Sequence, residues 1–332
     1  MKTSIDLEIP KSLPQHPWHP SVVYVPEAWN GHPYWMAETP YPPFHVAPYK
    51  DRWELPCIHY SDDGIHWKST AANPIDDLTD EQIACHSYHS DPHLVLHENT
   101  LYCYYRLMEN HDSKTTILRK YSEDGLQWSD REEIIVIGEE LSDKCEIISP
   151  AVIWTGEKWR MYYVDDTYTN LRRGIQVARS EDGIHFEVIG SVWEQQEVKP
   201  WHIDVQLIES VYYLLVHDVD DNMLWLYTSK DGMHFGNGTE ILRASGKLTD
   251  FWSHRLYRAC IVKVNEKKHI YFSANDGMAS YLGLLVVDDR GRISIVDCMH
   301  NSTKAKFVMC FWRRRIKQFM QKVIHFIEKR IK

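Results

Sequence analysis

An all-β fold, a five-bladed β-propeller followed by a C-terminal amphipathic α-helix, is the architecture that three features of this 332-residue sequence predict. The first is a seven-residue pattern, Ser-x-Asp-Gly-x-x-(Trp/Phe), at 61–67, 122–128, 180–186 and 229–235, with a degenerate copy, VDDRGRI, at 287–293. The second is its spacing: successive starts lie 61, 58, 49 and 58 residues apart, longer than a hairpin and close to the period of a four-stranded blade. The third is a pair of apolar runs ahead of each copy: PSVVYVPEAWNGHPYWMA, PHLVLHENTLYCYYR, PAVIWTGEKWRMYYV, IDVQLIESVYYLLVH and CIVKVNEKKHIYFSA. Val, Ile and Tyr in short runs bounded by polar turns form strands rather than helices.

Each element has a local reason. Asp-Gly between β-prone runs makes a tight turn, glycine supplies the positive φ, and the aromatic three residues on returns to the sheet face. The pattern therefore joins the outer two strands of a blade. The first run of each unit then becomes the innermost strand, lining a central channel. A β-sandwich with coincidental Asp-Gly hairpins is the alternative, and it leaves the regular period unexplained. Residues 1–300 are assigned to the propeller and 301–332 to a helical tail.

The hydrophobic content of 43% and charged content of 25% are those of a chain able to bury a large core. The N-terminus has neither an apolar stretch nor a small-residue cleavage site, so no secretory signal is expected. Seven scattered cysteines without a Cys-x-x-Cys pair point to reduced thiols and a cytoplasmic setting rather than to disulfides or a zinc knuckle. The net charge of −10 divides unevenly: residues 304–332 hold ten Lys/Arg and one Glu, a local charge of +9, and the rest carries −19. An acidic body of that kind excludes nucleic acid as its partner. No Gly-rich phosphate loop, Gly-x-Ser-x-Gly elbow or His-Glu-x-x-His is present, and no cofactor is expected.

From Phe307 the period changes. Trp312, Ile316, Phe319, Val323, Ile327 and Ile331 recur every three or four residues, and Arg313, Lys317, Gln321 and Glu328 fall elsewhere. Such a helix would be about 39 Å long, and its longest apolar run is followed at once by three arginines, so it does not span a bilayer. A basic amphipathic helix suits the surface of an anionic membrane, on its inner face for a cytoplasmic protein, or a partner protein. Packing onto the acidic body is the competing arrangement.

The repeat and the Asp-Pro that opens one inner strand resemble the five-bladed propeller glycoside hydrolases of the arabinanase, xylosidase and invertase type, over roughly residues 17–297. That resemblance implies carbohydrate as the substrate class and carboxylates at the channel mouth. Position by position, the inner strands open with His19-Pro20, Asp91-Pro92, Ser149-Pro150, His202-Ile203 and Ala259-Cys260. The family places an aspartate in the first and third blades; His19 and Ser149 stand there instead, a departure from its own catalytic set.

Breaking a glycosidic bond takes a proton donor and a second carboxylate acting as base or nucleophile. Asp91 is the leading candidate, joined by Glu54 after a Tyr- and Pro-rich insertion, and by Asp204 in KPWHIDVQLI. For substrate binding the sequence offers Trp18, His19, His89, Glu146, Trp201, His202, Tyr257 and Arg258, the aromatics for the faces of a sugar ring and the arginine for the charge of an anionic or phosphorylated one. The histidines of HSYHSDPHLVL (86–96) invite a metal reading, but closely spaced histidines on one loop rarely converge, and no metal is expected. The expectation is thus a carbohydrate-active enzyme of glycoside hydrolase type. The alternatives are a non-catalytic glycan-binding propeller of cell-surface polysaccharide assembly and a protein scaffold.

Overall fold

The computed structural model describes residues 3–42, 54–109, 114–138, 147–166, 174–193, 197–298, 308–309, 311–317 and 320–321. A short strand, β1 (Asp6–Leu7), precedes a first antiparallel meander of β2 (His16–Trp29), β3 (His32–Tyr41), β4 (Cys57–Ser61) and β5 (His66–Ser69). After a one-turn helix, α1 (Asp80–Ala84), a second comprises β6 (Tyr88–His97), β7 (Thr100–Glu109), β8 (Lys114–Ser122) and β9 (Glu132–Ile137). A third comprises β10 (Ile147–Trp154), β11 (Trp159–Asp165), β12 (Gly174–Ser180) and β13 (His185–Ser191). The fourth is β14 (Pro200–Ile208), β15 (Val211–Asp218), β16 (Met223–Ser229) and β17 (Thr239–Arg243). The fifth is β18 (Arg255–Val264), β19 (Lys267–Asn275), β20 (Ser280–Val287) and β21 (Ile293–Ile295). The fold is nearly all β.

The first strands of the meanders face one another in a closed series: β2 packs on β6, β6 on β10, β10 on β14, β14 on β18 and β18 on β2. Two edge pairings lie outside what the repeat predicts. The outer strands β9 and β13 pair in parallel, Ile135 opposite His185, which merges the second and third meanders into one eight-stranded sheet. The N-terminal segment stitches the first meander to the last: β1 pairs in parallel with β5, and Ile5 N–H donates to the Leu282 carbonyl at 2.9 Å.

The repeated turn is also the fastener between neighbouring sheets. In the copy at 180–186 the Ser180 hydroxyl accepts the Gly183 N–H at 2.9 Å, and Asp182 Oδ1 accepts the N–H groups of Ile184 and His185 at 2.8 and 2.9 Å. The glycine lies at φ +74°, where its lack of a Cβ lets the preceding sheet press against it. Tyr104 of β7 donates its hydroxyl to the Gly183 carbonyl at 3.0 Å; Tyr162 of β11 does the same to Gly232 at 3.0 Å, and Tyr271 of β19 to Gly64 at 3.1 Å. The last of these links the fifth meander back to the first.

Candidate functional site

Every inner strand is interrupted near its start by a bulge. The register shifts between Trp18 and Ser21, Ser90 and His93, Ile148 and Ala151, Pro200 and His202, and Leu256 and Ala259. In the first three strands the bulged residue precedes a proline and has a positive φ: His19 at 52°, Asp91 at 54° and Ser149 at 52°. An L-residue pays in strain for that conformation, and a bulge turns its side chain out of the pleat. On the fifth strand the bulged pair is Tyr257-Arg258, two residues ahead of the Ala259-Cys260 expected from sequence.

The bulges converge on Asp91, which is fully buried. Its Oδ1 lies 3.5 Å from His19 Nε2, 3.2 Å from His202 Nδ1 and 3.8 Å from Arg258 Nη1, and its Oδ2 lies 3.3 Å from Arg106 Nε. The Ser149 N–H also donates to Oδ2, at 3.3 Å. Burial alone would raise the Asp91 pKa; His202, His19 and Arg106 outweigh it, and the carboxyl is held well below the usual carboxylate range. For both histidines burial dominates over the attraction of Asp91, moving His202 down to about 4 and His19 well below 6.5. Glu54 is buried against the same group, at φ +54° in the loop before β4. Burial, reinforced by the Asp91 charge and opposed by Arg106, raises its pKa well above 4.5.

His19, Asp91 and His202 can each offer one ligand atom, all within 4.8 Å of one another. The Thr39 hydroxyl anchors His19 through Nδ1 at 2.6 Å, and the Ser149 hydroxyl lies 2.8 Å from His202 Nδ1. His19 Nε2, His202 Nε2 and Asp91 Oδ1 are buried without a hydrogen-bond partner, as are Glu54 Oε2 and all three Arg258 nitrogens. Buried polar groups ordinarily find partners, so such a concentration marks a place where something else binds. Two neutral imidazoles and an ionised carboxylate form a donor set that suits a divalent cation. The histidines involved are not those of the loop that raised the question in the sequence: one comes from β2 and the other from β14.

Aromatic rings cover this centre. Tyr257 lies 4.2 Å from the His202 ring, 5.3 Å from His19 and 4.8 Å edge-on from Trp18, and its hydroxyl accepts a 3.0 Å bond from Trp201 Nε1. Tyr41 lies 5.8 Å from Trp18 and 5.7 Å from His19.

Two sequence-selected residues stand apart. Asp204 has both oxygens engaged, Oδ1 with His93 Nε2 at 3.0 Å and Oδ2 with the Ile261 N–H at 2.9 Å, while His93 Nδ1 accepts the Val152 N–H at 3.3 Å. This strut ties β6, β10, β14 and β18 together. His89 belongs to another cluster, its Nε2 3.7 Å from Asp76 and its ring 5.4 Å from Tyr105, and burial moves its pKa down to about 4. Glu146 lies outside the described residues. Sequence reasoning passed over Arg106, Thr39 and His217, all on second strands of their meanders. His217 is buried opposite His202 in the β14–β15 register, with both ring nitrogens unpartnered. Only the pairing register brings these residues to the Asp91 centre, and no motif marks them.

No protein-family model matches the chain. Among curated proteins, the A type blood N-acetyl-α-D-galactosamine deacetylase of Flavonifractor plautii is 25% identical in an alignment 293 residues long that covers 73% of this chain and 37% of that protein. The chain thus spans little more than a third of that relative's length. The crystal structure of an N-acetylgalactosamine deacetylase from F. plautii in complex with blood group B trisaccharide superimposes with a TM-score of 0.68 at 18% identity, over 85% of this chain and 94% of that one. A GH43_1 enzyme from Xanthomonas citri gives 0.58 at 11% identity, over 86% and 92%. The RS223 β-xylosidase gives 0.57 at 12%, over 84% and 95%. The chain has the propeller fold of glycoside hydrolase-like proteins.

Proposed function

We propose that the five meanders are the blades of one five-bladed propeller, and that the centre around Asp91 hydrolyses the acetamide of an N-acetylated amino sugar on a glycan. The observation that carries this reading is the convergence of His19, Asp91 and His202, from three meanders, within 4.8 Å. The substrate class follows the F. plautii deacetylases named above, one matched in sequence and one in fold. His19, Asp91 and His202 would hold a divalent cation, which when bound polarises a carbonyl oxygen and lowers the pKa of water.

The chain's own residues supply the remainder. Thr39 fixes the His19 ring so that Nε2 faces the centre. Arg106 and Arg258 balance the Asp91 charge. Glu54, neutral through burial, holds a proton beside the centre. Water adds to the carbonyl carbon as the amide C–N bond breaks; Glu54 gives its proton to the departing nitrogen and takes one of the water's protons in its place, the other passes to the amine, and acetate, the protonated amino sugar and a neutral Glu54 remain. Trp18, Tyr41, Trp201 and Tyr257 offer ring faces to the sugar. Asp204 and His93 are framework.

A second reading, cleavage of a glycosidic bond by Asp91 and Glu54, is favoured by the placing of two buried carboxyls beside each other in opposite surroundings: His202, His19 and Arg106 hold the Asp91 pKa down, and burial pushes that of Glu54 up, the division of labour such hydrolysis uses. Incubating the full chain with N-acetylated glycans, with and without chelator, separates the readings. Acetate without new reducing ends supports deacetylation, reducing ends without acetate support the second reading, and tight glycan binding with neither product defeats both.

A further inference from the structure

Residues 308–309, 311–317 and 320–321 are helical, and among these described residues the buried and half-buried ones, Val308, Phe311, Arg314 and Arg315, lie on one side. Phe311 is completely buried. Arg314 donates to the Tyr281 hydroxyl at 2.6 Å and stacks over that ring at 5.7 Å, and Arg315 donates to the Ser253 hydroxyl at 3.3 Å. Two cations of the tail are thereby tied to the last meander and its approach.

The opposite side is apolar and open to solvent. Met309, Trp312, Ile316 and Met320 are 48%, 43%, 61% and 53% exposed. At about 100° per residue these four share an arc of roughly 80°, with Arg313 and Lys317 along its edge. Both of those cations are exposed. Among the described residues, no helix is long and apolar enough to cross a membrane.

We propose that this face rests on an anionic lipid surface, with Met309, Trp312, Ile316 and Met320 among the acyl chains and Arg313 and Lys317 at the headgroup phosphates. Charge selects this occupant. The tail carries +9 and the body −19, so a second copy meeting the stripe face to face would set Arg313 and Lys317 against their own images. The chain's own acidic body is engaged by the other side of the helix. A phosphate-bearing surface with an apolar interior satisfies both halves of the arc. The proposal is independent of the chemistry assigned to the channel mouth.

The test is flotation of the full chain with vesicles of phosphatidylcholine alone and of phosphatidylcholine with about 30% phosphatidylglycerol, near neutral pH. The anionic vesicles are expected to bind at least about tenfold better, with binding falling as salt rises from about 0.1 to about 0.5 M. The double substitution Trp312→Ser, Ile316→Ser and the charge reversal Arg313→Glu, Lys317→Glu should each weaken binding about tenfold or more, with thermal melting unchanged because all four side chains are exposed. Absence of lipid-dependent flotation overturns the proposal. So does flotation indifferent to both variants, and so does a concentration-dependent dimer that Trp312→Ser, Ile316→Ser dissolves without any lipid binding.

Discussion

Replacing Gly183 by alanine tests whether the repeated turn fastens one sheet to the next. Gly183 and Gly156 both have positive φ, +74° and +95°, so alanine meets a backbone penalty at either position, about 1–2 kcal/mol less what it gains by restricting the unfolded chain. Their surroundings differ. A Cβ on Gly156 meets nothing within 4 Å, whereas one on Gly183 lies 2.8 Å from the Tyr104 hydroxyl, 3.0 Å from Arg119 Nη1 and 3.2 Å from Trp159 Cε2. Tyr104 is fully buried and spends its hydroxyl on the Gly183 carbonyl, so displacing it adds about 1–3 kcal/mol for overpacking and a comparable amount for a stranded hydroxyl. Gly183→Ala should therefore destabilise by about 2–6 kcal/mol more than Gly156→Ala, read from urea unfolding midpoints with a common slope. Equal losses, within about 0.5 kcal/mol, would show that the turn glycine serves only its own hairpin.

The remaining predictions concern the turn's charge and the site. Hydrogen bonds from the His66 and Ile65 backbone and the His66 ring outweigh the opposing effect of burial and hold the Asp63 pKa at about 2, below its ordinary 3.8. Its contribution is thus present above the unfolded value and lost as pH falls toward 2; the stability gap between parent and Asp63→Asn should narrow as pH drops from 6 to 3.5, and a gap that widens contradicts the sign. Glu54→Gln keeps the shape of a neutral acid, so melting should be preserved while turnover falls about 10²–10⁴-fold in an acetate-release assay; near-parental turnover removes Glu54 from the mechanism. Thr39→Val frees the His19 ring and should weaken divalent-cation affinity about 10–100-fold by calorimetric titration, with unchanged affinity counting against the assigned ligand.

What was legible in the sequence followed from local chemistry. Ser-x-Asp-Gly-x-x-(Trp/Phe) announces itself because serine, aspartate and glycine satisfy one another's hydrogen bonds within seven residues, and its period delivered the succession of four-stranded units. The edge pairings β1–β5 and β9–β13 escaped notice because they join distant segments that carry no motif. Asp91, His19 and His202 were found by asking what opens each inner strand, Tyr257 and Arg258 as an aromatic and an arginine beside the fifth. Asp204 sits one alternation further in, where its carboxylate meets a histidine and a backbone amide rather than the mouth. His89 and His93 looked like partners of Asp91 by proximity in the chain, but the bulge at Asp91 sends the three side chains to different neighbours. Arg106 and Thr39 became visible only through the pairing of second strands with first.

The most direct measurement is anomalous diffraction from crystals of the chain grown with manganese or zinc. The account predicts one strong peak at about 2.0–2.2 Å from a nitrogen of His19, a nitrogen of His202 and an oxygen of Asp91. A peak elsewhere, or none at saturating cation with those three side chains well ordered, would contradict it.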